Sequence, residues 1–423
     1  MVDLRLTEQQ RALQQLAHEF AAKEIRPISM ELDHNPDPAK SVYMTRLLEK
    51  AHKVGLHTMS IPEEYGGGGI EDLFTHCIVA EELSWGDRGF VGILLSATKI
   101  THLLMADELK PFACEENRQK WLRAYCEDPT FLISTATTEP DSGSENNITT
   151  FNDPSGGYRT TAVRKGDEYI LNGNKIFVSN IGWAKLNFVY ARTDKSQGVQ
   201  EGGASLFAVP IDAPGVSFGR IYDKIGYRLN LNRELIFQDC RIPAANRLGP
   251  ENAGLKKLRR YLRGDTLINA ASMVGLARAA YEATLEYAQT RIACGRPIAE
   301  HQTIGVRLLD MWTQINAARA YVLQSAWAVD AAWLGIDGEK IPVDPKLSQS
   351  ASYYAHEMCV DVCRAAMEIH GGIGAMREAP IEMYMRNAVC MLHSDGGVIN
   401  KRVRLLPYLW RDPVAAGNGA GRR

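Results

Sequence analysis

The sequence predicts an α+β protein in three parts: an N-terminal helical domain over residues 1–130, a central antiparallel β-barrel or sandwich domain over 131–245, and a C-terminal four-helix bundle over 246–410. Three observations carry this. Helical periodicity fills the first hundred residues, short β-branched and aromatic runs divided by Gly, Asn and Asp begin near residue 131, and helical periodicity returns after Pro243. A chain of 423 residues also suits two or three domains of about 100 to 200 residues each.

The first helix opens on a capping-box pattern, Thr7 with Gln10, and Leu13, Leu16, Ala17, Phe20 and Ala21 keep the helical period up to Pro27. Further helices are expected over 41–54, 70–85 and 90–106, with a turn at Ile61 to Gly69. That turn holds four consecutive glycines, but no Lys-Ser/Thr pair follows and no strand precedes, so it reads as a turn and not a phosphate cradle. Strands are expected at 169–171, 187–191, 206–210 and 234–237, and short strands this closely spaced suggest a small barrel or sandwich. Leu255, Leu258 and Leu262 begin a long helical region running to residue 290, Ile304, Leu308, Met311, Trp312 and Ile315 mark a second helix, and 345–369 a third. Long helices with short connections imply a bundle. The Gly/Ala-rich segment 411–423 is expected to be a disordered tail.

Composition narrows the function classes. The net charge is -2 with both signs spread along the chain, so no basic stripe exists to follow nucleic acid. Eight cysteines without a CxxC pair read as reduced, mostly buried thiols, and Cys359 with Cys363 shares a helix face without forming a metal site. Residues 1–6 lead straight into a helix and no run of about 18 apolar residues occurs, so a cytoplasmic protein without a membrane span is expected.

The segments with chemical content are Thr138-Glu139-Pro140-Asp141-Ser142-Gly143-Ser144-Glu145, Asn174-Lys175-Ile176-Phe177-Val178-Ser179-Asn180, Arg291 to Pro297 followed by Glu300-His301-Gln302, His370-Gly371-Gly372-Ile373-Gly374, and Tyr384-Met385-Arg386-Asn387-Ala388. In this order and spacing the chain resembles the acyl-CoA dehydrogenase family over roughly residues 4–410. The resemblance implies FAD as cofactor, an acyl-CoA substrate, an electron-transfer flavoprotein as partner and a homotetramer. It places Thr135, Thr137, Thr138, Gly143 and Ser144 at the polar edge of the flavin, Phe177 against its face and Ser179 at its N5 side. It places Arg291, carried on a late helix, at the pyrophosphate of a neighbouring subunit's FAD, where charge pairing gives the contact its reason. Gln302, Glu368, Gly371, Gly372 and Gly397 complete the implied cofactor set. Phe177 stands where Trp is commoner in the family, Ala293 and Cys294 replace the usual hydroxyl and aromatic residues, and Glu368 replaces a frequent Gln.

The reaction implied needs a carboxylate to take the α-proton while the β-hydrogen leaves as hydride. The family usually places a Glu before Gly-Thr in the loop after the Tyr384 to Ala388 segment, and here Asp395 stands before Gly396-Gly397. A minority branch, including isovaleryl-CoA dehydrogenases, places it on the first long helix of the bundle, where this chain has Asp265 followed by Thr266. Both positions therefore carry Asp, one methylene shorter than Glu. Asp395 is expected as principal base and Asp265 as second, with pairing to Arg260 or Arg263 as the competing role for Asp265. Asp87 is expected to be structural. Asp at the base position also resembles nitroalkane oxidases, which leaves a flavin oxidase or a non-catalytic acyl-CoA-binding subunit as alternatives.

Overall fold

The computed structural model describes residues 5–39, 44–148, 152–262, 264–336, 338–394 and 396–409. Helix α1 (Glu8–Phe20) starts on the Thr7/Gln10 capping box. It does not stop at Pro27. A π-helical turn over Ala21–Ile25 follows, and α2 (Arg26–His34) then takes Pro27 in its first turn, where the missing N–H costs nothing. Next come α3 (Met44–Lys53), α4 (Leu73–Gly86), α5 (Gly92–Met105) and α6 (Glu115–Glu127). The sequence reading did not include α6, because this polar segment buries only Leu122 and Tyr125.

The central part is an eight-stranded sheet of β1 (Leu132–Ala136), β2 (Thr161–Lys165), β3 (Glu168–Ser179), β4 (Ala184–Arg192), β5 (Ala204–Pro210), β6 (Val216–Ile221), β7 (Asn232–Pro243) and β8 (Arg247–Leu248), ordered β6-β7-β3-β2-β4-β5-β8. Most pairings are antiparallel. β1 departs from the expectation by lying parallel to β4 over five residue pairs, from Leu132↔Ala184 to Ala136↔Val189. Its Ile133 N–H also bonds to Ser96 Oγ of α5 at 2.8 Å, which fastens the sheet to the N-terminal helices.

The C-terminal part contains α7 (Leu255–Leu258), α8 (Asp265–Thr290), a two-strand hairpin of β9 (Ile292–Ala293) and β10 (Arg296–Pro297), α9 (Gln302–Trp333), α10 (Leu347–His370), α11 (Pro380–Leu392) and α12 (Val398–Leu409). Arg291 is not on a helix, as expected, but is the extended residue that ends α8. The hairpin that follows turns on Cys294 (φ 50°) and Gly295 (φ 81°), two positive-φ residues of the kind that let a two-residue loop match strand twist. The segment 411–423 lies outside the described residues.

Helix α4 is buried on nearly every side, apolar residues being spread all around it, and it joins the terminal parts into one core. Two carboxylates on it need partners at that depth. Glu81 meets Arg319 of α9 at 2.7 Å and Arg278 of α8 at 2.9 Å, while Glu82 takes a second nitrogen of Arg278. The backbones of α4 and α8 approach so closely at Gly275 that a Cβ there would stand 2.1 Å from the Glu81 carbonyl oxygen.

Candidate flavin and acyl-thioester site

One group of the expected residues gathers where β1 and β3 end. Buried Lys175 donates to Glu139 Oε1 at 2.7 Å and to the Thr137 carbonyl at 3.2 Å, and the Thr138 carbonyl accepts from Ile176 N–H at 2.8 Å. Glu139 also receives the Thr160 backbone N–H at 3.1 Å, so the strip Thr135 to Glu139 is held rigidly along β3. Phe177 adopts φ 57° and leaves its ring 52% exposed, tilted 4.5 Å from Tyr222. Asn232 Nδ2 fixes this kink by donating to the Phe177 carbonyl at 2.7 Å and to Ser179 Oγ at 3.0 Å. Gly143 donates its N–H to the Glu145 carboxylate at 2.9 Å, and Ser144 opens the turn Ser144–Asn147.

The two glycines after Asp395 reach the same place. Both take positive φ, Gly396 at 84° and Gly397 at 74°, and a Cβ on Gly396 would lie 2.6 Å from Asn147 Nδ2. Asp395 itself lies outside the described residues. Asp265 begins α8, and its Oδ2 lies 3.1 Å from Lys99 Nζ of α5. A lysine from the N-terminal part is thus a partner of Asp265, while the Arg260 guanidinium donates to the neighbouring Tyr261 hydroxyl; Arg263 lies outside the described residues. One turn along the same face of α8, Asn269 accepts from Arg88, a buried guanidinium lying 4.5 Å over the Tyr227 ring. The first two turns of α8 thus each meet a cation of the N-terminal part, Lys99 from α5 and Arg88 from the turn before it.

Asp87 is structural, as expected. It caps the short turn Arg88–Val91 by accepting the Gly89 N–H at 2.7 Å and also accepts from Ser29 Oγ; burial pushes its carboxyl up to about 6. Arg386 of the Tyr384 to Ala388 segment ties α11 to α2, bonding Asp33 and Glu382 and the Ile225 carbonyl at 2.6 Å.

A second group sits at the exposed end of the bundle. Arg291 is exposed, Gln302 starts α9, and Glu368 pairs with Arg364 at 2.9 Å and with Arg307. α10 ends at Gly371 (φ 60°), the glycine stop expected for this segment, and His370 stacks on Tyr287 with ring centroids 4.3 Å apart. Around these residues Ile292, Val306, Leu309, Trp312, Ile373 and Met376 present apolar surface, each at least half exposed.

The first group fits a flavin. Thr135 Oγ1 is buried with no hydrogen-bond partner among the described residues, and Phe177 holds an open ring face beside it on the same strand ends. An orphaned hydroxyl at the edge of a flat apolar platform suits a heteroaromatic ring with polar edges. Sequence reasoning missed Lys99, although Lys99 is the one Lys, Arg, Asp or Glu in the otherwise apolar run of α5. It also missed Lys175 and Glu139 as a pair, which only the packing of β3 on β1 brings together.

Fold and site define a flavin-dependent oxidoreductase of acyl thioesters. The chain belongs to the acyl-CoA dehydrogenase family: its N-terminal domain matches residues 7–128, its middle domain 134–240 and its C-terminal domain 252–397. A probable acyl-CoA dehydrogenase of Bacillus subtilis, YngJ, is 33% identical over 395 residues, 93% of this chain and 96% of its own length. The butyryl-CoA dehydrogenase structure from Megasphaera elsdenii is similar with a TM-score of 0.82 at 30% identity, covering 96% of this chain and all of that one. A structure described as an electron transferring flavoprotein of Acidaminococcus fermentans gives 0.83 at 34% identity, covering 97% of this chain and all of that one. FAD is the family's cofactor. No described helix is long and apolar enough to cross a membrane.

Proposed function

We propose that this protein oxidises an acyl-CoA thioester to the 2,3-enoyl-CoA, passes the electrons to an electron-transfer flavoprotein, and works in the cytoplasm as a homotetramer. The observation that carries the reading is the orphaned Thr135 hydroxyl beside the open Phe177 face, with Gly396 after Asp395 packed on Asn147 of the Ser144–Asn147 turn. Bound FAD would supply the acceptor for two reducing equivalents. Thr135, Thr137, Thr138, Gly143, Ser144, Phe177 and Ser179 would hold its ring, with Gly397 behind the carboxylate loop, and Arg291, Gln302, Glu368, Gly371 and Gly372 would reach the FAD of a neighbouring subunit. The exposed apolar residues around Trp312 support that assembly, because apolar surface of this kind suits burial at an obligate interface.

Asp395 takes the α-proton in this reading. Positive φ at Gly396 and Gly397, with Gly396 close against Asn147, gives a glycine turn of the kind that lets a short carboxylate before it approach a substrate. Asp265 is second, because Lys99 engages one of its oxygens and proton abstraction there must first break that contact. All eight cysteines are free, in keeping with a reducing compartment. The FAD-loaded protein should bleach anaerobically with at least one thioester from a panel of straight, branched and cyclic acyl-CoAs. Bleaching with none, or fast reoxidation of the reduced protein by oxygen, would sink the dehydrogenase reading.

A further inference from the structure

A cavity of 330 Å³ opens between α4, α5, the end of α9 and the residues before α8. Its position relative to the flavin platform follows from α5. The N-terminal half of that helix carries Ser96, bonded to β1, and the stretch that follows supplies Thr98, Thr101, His102 and Met105 to the cavity wall. At about 1.5 Å per residue, Ser96 and His102 are roughly 9 Å apart along the axis. Lys99 and Asp265 border this region, since their chain neighbours Thr98 and Gly264 line the smaller cavity beside it and Thr98 lines this one too.

The floor of the cavity is polar where a hydrocarbon site would be apolar. His76, 1% exposed, is held by its Nδ1 contact to the Asp72 carbonyl at 2.8 Å, which puts the proton on Nδ1 and leaves Nε2 as an acceptor. Nε2 finds no partner among the described residues. Ser60, 4% exposed, likewise leaves its Oγ unpartnered, and its carbonyl already accepts from Thr101 Oγ1 at 3.2 Å. Two buried groups, one an acceptor and one a hydroxyl able to donate or accept, therefore line one space at the low end of small-molecule sites. Trp333 and Tyr261 supply aromatic wall, and Arg260 with Glu108 stands near the mouth.

We propose that this cavity receives the far end of the acyl group and selects one that carries a hydroxyl, which donates to His76 Nε2 and meets Ser60 Oγ. The proposal rests on the acyl-thioester reading above and adds the substrate class. A plain alkyl end would leave both polar groups buried and unpaired, so a site built to bond a hydroxyl rejects the analogue that lacks one. Burial holds the His76 imidazole neutral by lowering its proton affinity, which keeps Nε2 an acceptor at neutral pH.

The test uses the FAD-loaded protein with hexanoyl-CoA and 6-hydroxyhexanoyl-CoA, reading anaerobic flavin reduction and calorimetric binding. The hydroxylated thioester is expected to bind and to reduce flavin with at least about tenfold advantage. His76→Phe should abolish the advantage with flavin content unchanged, and Ser60→Ala, which removes one oxygen, should cut it severalfold. Equal binding and reduction by the two thioesters would overturn the inference while leaving the function intact, as would a preference that survives both substitutions. Failure of every acyl-CoA to reduce the flavin would instead strike the function, and binding that distinguishes the two thioesters would then still assign the cavity.

Discussion

Lys99 of α5 holds its ammonium 3.1 Å from Asp265 Oδ2 at the first residue of α8. The two belong to segments more than 160 residues apart, and each is mostly buried, with side-chain exposures of 21% and 15%. A carboxylate engaged in this way is a poor proton acceptor until its partner moves.

Asp395→Asn should therefore slow anaerobic flavin reduction by at least about 100-fold with FAD content unchanged, and Asp265→Asn should cost less. Stopped-flow reduction under saturating thioester is the measurement. The reverse ranking would make Asp265 the base, and normal reduction by both variants would refute carboxylate chemistry at either place.

Lys175→Met should destabilise the protein by about 3 to 5 kcal/mol, because Glu139 would remain buried without its cation. Flavin retention should fall too, since Lys175 also fixes the Thr137 carbonyl. Adding Glu139→Gln should recover part of the loss in denaturant unfolding. A single variant as stable as the parent would show that the pair is not needed.

Burial pushes the His57 imidazole down to about 4; its ring bonds the Phe131 carbonyl at 2.7 Å and stacks on Tyr125. The native state thus stays neutral there while the unfolded chain takes a proton near 6.5. The unfolded state binds more protons between pH 6.5 and 4, so this site's stability contribution is complete above 6.5 and falls by about 1.4 kcal/mol per pH unit below it. Unfolding curves of His57→Gln against the parent at pH 7 and pH 5 should show a smaller difference at pH 5; a difference independent of pH would refute the assignment.

Leu309→Glu, at a residue 61% exposed on α9, should dissociate the assembly without unfolding the chain. Arg291→Ala should release flavin and loosen assembly together. Sedimentation velocity combined with flavin absorbance checks both, and an FAD-loaded monomer from either variant, or from the parent, would overturn the tetramer.

Much of this architecture was readable in the residues because period and chemistry agreed there. The Thr7 box caps α1, the second and third bundle helices match α9 and α10 closely, and the strands at 169–171, 187–191, 206–210 and 234–237 lie inside observed strands, whereas the helical run expected from 255 to 290 is divided into α7, the turn Arg259–Tyr261 and α8. α6 was missed because its surface is polar, and α12 because Ile399, Leu406 and Leu409 stay exposed and give no inward stripe within one chain. Pro27 misled because a preceding π turn let the chain enter a new helix at that point. In the site, motif segments marked the flavin platform, but Lys99 with Asp265, and His76 with Ser60, meet only through the packing of helices distant in sequence, which no local pattern encodes.

The parallel pairing of β1 with β4 has a consequence for how the chain is assembled. β1 follows the helical segment immediately, yet its partner strand arrives some fifty residues later, after β2 and β3 have formed their hairpin. Contacts of such sequence separation are late and slow events in folding, because the loop-closure entropy precedes the gain. During synthesis β1 would wait against Ser96 of α5, unpaired along its edge, until the hairpin emerges. A cut between the helical and sheet parts would leave one fragment with an open strand edge and the other with a gap beside β4, so neither should survive alone as a monomeric, protease-resistant unit.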